Sequence, residues 1–148
     1  MNRNKFLKTC AAGCISLAGF ELILQSCVAA RFTDVSAEIS GSDLVAPVSS
    51  FEISRKGEIS YKPGIIARNA ALQHPICIFR ISESDYKAVL MRCTHQGTEL
   101  QLFGDRFQCP AHGSEFSSSG QVLRGPAESA LRSFPVTVES GEIKISLK

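Results

Sequence analysis

The chain has 148 residues, 44% hydrophobic and 20% charged, a balance that supports a buried core and excludes a disordered chain. Its formal net charge of +2 comes from the first 27 residues, where Arg3, Lys5 and Lys8 face only Glu21. The remainder, 28–148, has 13 basic and 13 acidic residues, and the chain has no Trp, so neither nucleic acid nor an anionic membrane surface is suggested as a partner.

Residues 2–8 are basic, and Thr9 to Phe20 are apolar and small. Glu21 interrupts before Leu22-Ile23-Leu24 resumes. This is the order of an export signal, and it falls short of the about 20 unbroken apolar residues of a spanning helix. Leu24-Gln25-Ser26-Cys27 resembles a lipoprotein cleavage box, in which Cys27 is the lipidation candidate. Arg3-Asn4-Lys5-Phe6-Leu7-Lys8 resembles a reduced twin-arginine signal, a route that carries proteins already folded around their cofactors. Residues 1–27 are therefore expected to form a leader helix of the lipoprotein-signal type, with a retained anchor or an ordinary cleaved signal as alternatives. The implied location is exported, on the periplasmic or cell-surface side of a membrane, with the domain anchored there.

Residues 28–43 are polar and small and read as a linker, a tether or an early edge strand. From residue 44 the pattern is β. Leu44–Val48 and Phe51–Ile53 begin it, Lys56-Gly57-Glu58 turns, Ile59–Lys62 alternates, and Pro63-Gly64 turns again before Ile65–Asn69. Ile76–Ile81 is a near-continuous apolar run, as in a strand buried on both faces. Cys77 within it reads as a small buried hydrophobe. Tyr86–Arg92 leads into Cys93. Further on, Leu131–Val138 alternates, Ser140-Gly141 turns, and Ile143–Leu147 ends the chain as a strand. Short strands at close spacing predict an all-β fold, an antiparallel sandwich or barrel over 44–148.

The informative stretch is Cys93-Thr94-His95-Gln96-Gly97-Thr98, answered by Cys109-Pro110-Ala111-His112-Gly113-Ser114. Each segment offers one thiol and one imidazole, followed by Gly and a small hydroxyl residue. Three chemistries fit Cys93, His95, Cys109 and His112 to different degrees. Structural zinc pairs like with like, at Cys-x₂₋₄-Cys and His-x₃₋₅-His; here Cys pairs with His inside each segment. A Cys–His nucleophilic pair needs one thiol and one imidazole and leaves the duplication unexplained. A two-iron cluster with two thiolates on one iron and two imidazoles on the other needs one of each from each of two loops.

On these segments, with Gly125-Pro126-Ala127 downstream, residues 44–148 resemble a Rieske [2Fe–2S] domain, closest in class to the Rieske subunit of cytochrome bc-type complexes. The resemblance implies an antiparallel β base with an inserted cluster-binding subdomain over about residues 91–127. It implies one [2Fe–2S] cluster per chain, on Cys93, His95, Cys109 and His112. Gly125-Pro126-Ala127 would form a third loop closing over the cluster, Ser114 would hydrogen-bond it, and Gly97 and Gly113 would bring backbone N–H groups near it. The sequence departs from the respiratory class at four positions. Thr98 and Ala111 stand where that class has an inter-loop disulfide, Phe116 where it has a Tyr that bonds a ligating sulfur, and Gln96 where an apolar residue lies near quinone. The expected midpoint therefore lies within roughly −150 to +300 mV but not at the top of that span. Each ligating imidazole leaves one nitrogen for a proton, so electron and proton gain are expected to be coupled.

The expected function is one-electron transfer with no catalytic site of its own. The implied partners are a cytochrome, a dehydrogenase or a quinol-oxidising subunit in a membrane-associated oxidoreductase chain. A stand-alone ferredoxin-like carrier for an oxygenase or oxidase is the alternative, and a zinc-stabilised binding module is the rival of another class. The length leaves no room for the mononuclear-iron domain of a Rieske oxygenase.

Overall fold

The computed structural model describes residues 32–148, and these are all-β. Chain order gives β1 (Phe32–Ser36), β2 (Glu38–Ser40), β3 (Asp43–Pro47), a 3₁₀ turn (Val48–Phe51), β4 (Glu52–Arg55), β5 (Glu58–Tyr61), β6 (Gly64–Arg68), β7 (Ile76–Arg80) and β8 (Tyr86–Leu90). Then come β9 (Gln101–Phe103), β10 (Arg106–Gln108), β11 (Glu115–Ser117), β12 (Val122–Arg124), β13 (Ser133–Phe134), β14 (Val136–Glu139) and β15 (Glu142–Ser146). Three sheets form, with strand orders β1-β6-β7-β8-β13, β14-β15-β3-β2 and β12-β11-β10-β9, beside a separate β4–β5 hairpin. The expected leader helix, export signal and Cys27 lie outside the described residues. Among the described residues no helix is long and apolar enough to cross a membrane.

β7, at the centre of the five-stranded sheet, is buried on both faces, which is why its sequence is a near-continuous apolar run. Ile76 and Ile78 point into one core with Leu44, Phe51, Ile65, Ile143 and Ile145. Cys77 and Phe79, alternating with them, point into a second core with Met91, Leu100, Phe107 and Phe116. The first core fills the base of the domain. The second joins that base to the β9–β12 sheet, which is inserted between β8 and β13.

The structure corrects the sequence reading at three places. The stretch 28–43, read as a linker with an early edge strand as alternative, is strand over most of its described part: β1 lies parallel on β6, and β2 pairs antiparallel with β3. An edge strand needs few apolar anchors because its backbone bonds hold it; here Phe32 stacks edge-on against Phe79 at 5.4 Å and Val35 packs on the base core. Gly64 belongs to β6 instead of a turn, and the Phe32 ring occupies the space where a Gly64 side chain would stand. The alternating run 131–138 is split at Pro135, which has no N–H for a ladder: β13 pairs with β8 and β14 with β15, in different sheets.

Candidate metal centre

The two singled-out segments are the loops that flank the β9–β10 hairpin, and they fold in the same way. In the first, Cys93 N–H donates to the Thr98 carbonyl at 2.8 Å, and Gly97 N–H donates to the Cys93 carbonyl at 2.8 Å. In the second, Cys109 N–H donates to the Ser114 carbonyl at 2.8 Å, and Gly113 N–H to the Cys109 carbonyl at 3.0 Å. Each turn closes through a left-handed residue, Gly97 at φ +79° and Gly113 at φ +73°, a conformation a side chain would strain.

This shared geometry sends the thiols inward and the imidazoles outward. Cys93 and Cys109 are each 2% exposed, in one core with Phe107, Phe116 and Leu131. Both are free thiols, as is the buried Cys77. The His95 and His112 rings are exposed, 5.0 Å apart between centroids and crossed at 86°. Burial pushes the Cys109 thiol up, but N–H donors from Ala111 and His112, with the Cys93 and Thr98 side chains, outweigh it and hold the thiol below its ordinary value. Thr98, at the position where the resemblance has a disulfide, is thus one of the groups that hold the Cys109 thiol down. At Cys77 no such donors compensate, and burial alone pushes the thiol up.

A third segment covers the second core from the side. Ala127 is buried, its N–H donating to Ser114 Oγ at 3.0 Å, and Ser114 itself is fully buried. With the Oγ accepting that bond, the hydroxyl proton is still available to donate. Pro126 stays exposed, as do Pro110, Ala111 and Gln96. Thr94 Oγ donates to the Ser129 carbonyl at 2.7 Å, so the first loop is also tied to the segment after Pro126. Neither Thr94 nor Ser129 announces this contact in the sequence, since their partners lie 35 residues apart. Phe116, at the Tyr position of the respiratory class, is a fully buried packing residue. Glu99 pairs with Arg68 at 3.0 Å and Glu115 with Arg124 at 3.7 Å.

The donor set fits a two-iron cluster: the thiols lie together inside and the imidazoles together at the surface, the sorting of soft and borderline donors that a cluster with two differently ligated irons would need.

The Rieske [2Fe-2S] domain family matches residues 49–135, more than half of the chain. A cytochrome b6-f complex iron-sulfur subunit of Synechococcus sp. (strain CC9605) is 39% identical over 56 residues, covering 36% of this chain and 32% of that one. The oxygenase component of chloroacetanilide N-alkylformylase of Rhizorhabdus wittichii is 36% identical over 66 residues, covering 43% of this chain and 19% of that one. The chain thus spans about a third or less of the length of these curated relatives. Among solved structures, a quaternary ammonium Rieske monooxygenase in complex with L-carnitine superposes with a TM-score of 0.53 at 17% identity, over 72% of this chain and 32% of that one, and shares its fold. The chain belongs to the Rieske [2Fe-2S] domain family.

Proposed function

We propose that this protein carries single electrons on a [2Fe–2S] cluster held by its two matching loops. Cys93 and Cys109 would hold one iron and His95 and His112 the other. The observation that supports this most directly is the division of the donors, buried thiols together and exposed imidazoles together, on loops with one hydrogen-bond pattern. A bound cluster supplies one site for one electron. The chain's residues do the rest: Phe107, Phe116 and Leu131 exclude water from the thiolates, backbone N–H groups of the second loop donate to Cys109, and the exposed imidazoles present the centre to a partner. Neutral imidazoles in place of two thiolates make the centre less anionic and easier to reduce.

The partners are redox proteins, and relatives point both to a cytochrome complex and to an oxygenase system. With a leader over 1–27, we place the domain on the exported face of a membrane, tethered there and passing electrons between a donor dehydrogenase or quinol-oxidising subunit and a cytochrome. The missing inter-loop disulfide favours the second reading, a ferredoxin-like carrier for an oxygenase. The deciding measurement is the visible and EPR spectrum of the full-length protein purified without added metal. A rhombic signal on reduction, with iron and acid-labile sulfide in equal amounts, is expected; a colourless protein containing zinc ends the proposal.

Ser114→Ala tests the hydroxyl. The variant keeps its cluster and its EPR signal, and its midpoint falls by tens of millivolts. A bond stronger in the reduced state by about 1.4 kcal/mol corresponds to about 59 mV for one electron. A midpoint unchanged in protein-film voltammetry would show that the Ser114 hydroxyl serves only Ala127.

A further inference from the structure

We propose that a cleft beside His95, between Arg92 and Arg132, receives a carboxylate of an acidic redox partner and so selects which reactants reach the cluster from that side. The cleft has a volume of about 400 Å³, and His95, Thr94, Gln96 and Ser129 line it together with the two arginines. The inference rests on the electron-carrier reading above and adds the charge of the partner.

The position of Arg92 is the key observation. Arg92 faces Glu99 across an isolated β-bridge, the arrangement in which the two side chains would ordinarily pair. Glu99 is instead engaged by Arg68 at 3.0 Å, and Arg68 also holds Asp34 at 2.9 Å. Arg92 is left without a carboxylate among the described residues. Its guanidinium turns its Nε–Nη2 edge to the first ligand loop, with Nε and Nη2 3.2 and 3.3 Å and Cζ 3.7 Å from where a Gly97 side chain would begin. A larger residue at 97 would push it away. Across the cleft, Arg132 is held in place: it donates to the carbonyls of Leu147 at 2.9 Å and Lys148 at 3.3 Å, and lies 4.6 Å over the Phe134 ring.

Two arginines and an imidazole lining one cleft suit a carboxylate, which takes charge-assisted N–H bonds from an arginine. The effect is local. Residues 32–148 carry 12 basic and 13 acidic side chains, so the domain as a whole attracts no anions. A positive cleft on a near-neutral domain acts on the reactant that enters it, within about one Debye length of about 8–10 Å.

The test is stopped-flow oxidation of the reduced, cluster-loaded full-length protein by two one-electron oxidants of opposite charge, ferricyanide and tris(phenanthroline)cobalt(III). In each case the reduced cluster gives up one electron and the metal complex gains it, with no bond made or broken. In Arg92→Gln, ferricyanide is expected to react about three- to tenfold more slowly and the cobalt complex faster, both differences shrinking as salt rises. Arg92→Lys restores most of the ferricyanide rate, and succinate slows ferricyanide in the wild type more than in Arg92→Gln. Midpoints measured alongside separate driving force from attraction. Rates that shift in the same direction for both oxidants, or for neither, overturn the cleft while leaving the electron-carrier reading intact. A protein without the cluster spectrum removes that reading first, and this one with it.

Discussion

Cys109→Ser is expected to yield a colourless protein without the reduced-state EPR signal. Its iron content falls to about a tenth of wild type or less, since losses of roughly 10–100-fold in affinity follow even from changes to groups that only support a ligand. The hydroxyl of Ser is a hard, weakly acidic donor, whereas the Cys109 thiol is held below its ordinary value by the Ala111 and His112 N–H groups, with Cys93 and Thr98 contributing. That arrangement stabilises a thiolate in a pocket 2% exposed, where a free charge is otherwise costly. Cys77→Ala is the control. Cys77 is fully buried in the same core but lies on β7, outside both loops, and burial alone pushes its thiol up. The Cys77→Ala protein keeps the full spectrum. Iron and sulfide analysis with EPR on the two variants decides the matter. A Cys109→Ser protein that still holds stoichiometric iron, or a Cys77→Ala protein that loses it, would sink the ligand assignment.

Phe107→Ala is expected to cost about 3–5 kcal/mol of folding stability, the range for emptying a fully buried aromatic site. Against a typical domain total of about 5–15 kcal/mol, that is a large share. Phe107 is fully buried two residues before Cys109 and meets Phe79 edge-on at 5.7 Å. Phe79 in turn meets Phe32 at 5.4 Å, so three rings join the inserted sheet, β7 and β1. Removing Phe107, the ring the inserted sheet contributes, loosens the floor beneath the second loop, so cluster absorbance should bleach at lower urea than in wild type. Phe103, 59% exposed on the same hairpin, sets the comparison: Phe103→Ala should stay within about 0.5 kcal/mol. Urea unfolding followed by far-UV circular dichroism and by cluster absorbance gives both values. A Phe107→Ala loss near that of Phe103→Ala would show that the two parts of the domain do not lean on this ring.

The places where sequence and structure part follow a physical pattern. Ile76–Phe79 declared a strand buried on both faces because every residue in it is apolar, and β7 divides those residues between two cores. Residues 32–40 left tether and early edge strand both open, because a short edge strand held by backbone bonds needs little apolar side chain. Pro135 could be read as a strand constraint, but which sheet each half of 131–138 would join depends on partners far away in the chain. The same holds for single charges: Arg68 is the shared partner of Asp34 and Glu99, 34 and 31 positions away in the chain.

The sequence by itself determined the donor set and the loop shape. Two thiols, two imidazoles and the left-handed glycines at 97 and 113 are local features, set by spacing and by the steric demands of one turn. Only the tertiary structure decided how those donors divide, thiols inside and imidazoles outside. It also decided that Ser114 bonds Ala127, that Thr94 bonds Ser129, and that Arg92 is left free to line a cleft. These contacts join residues separated by many positions in the chain. Their energy depends on which surfaces the two cores bring together, and no local pattern of residues encodes that.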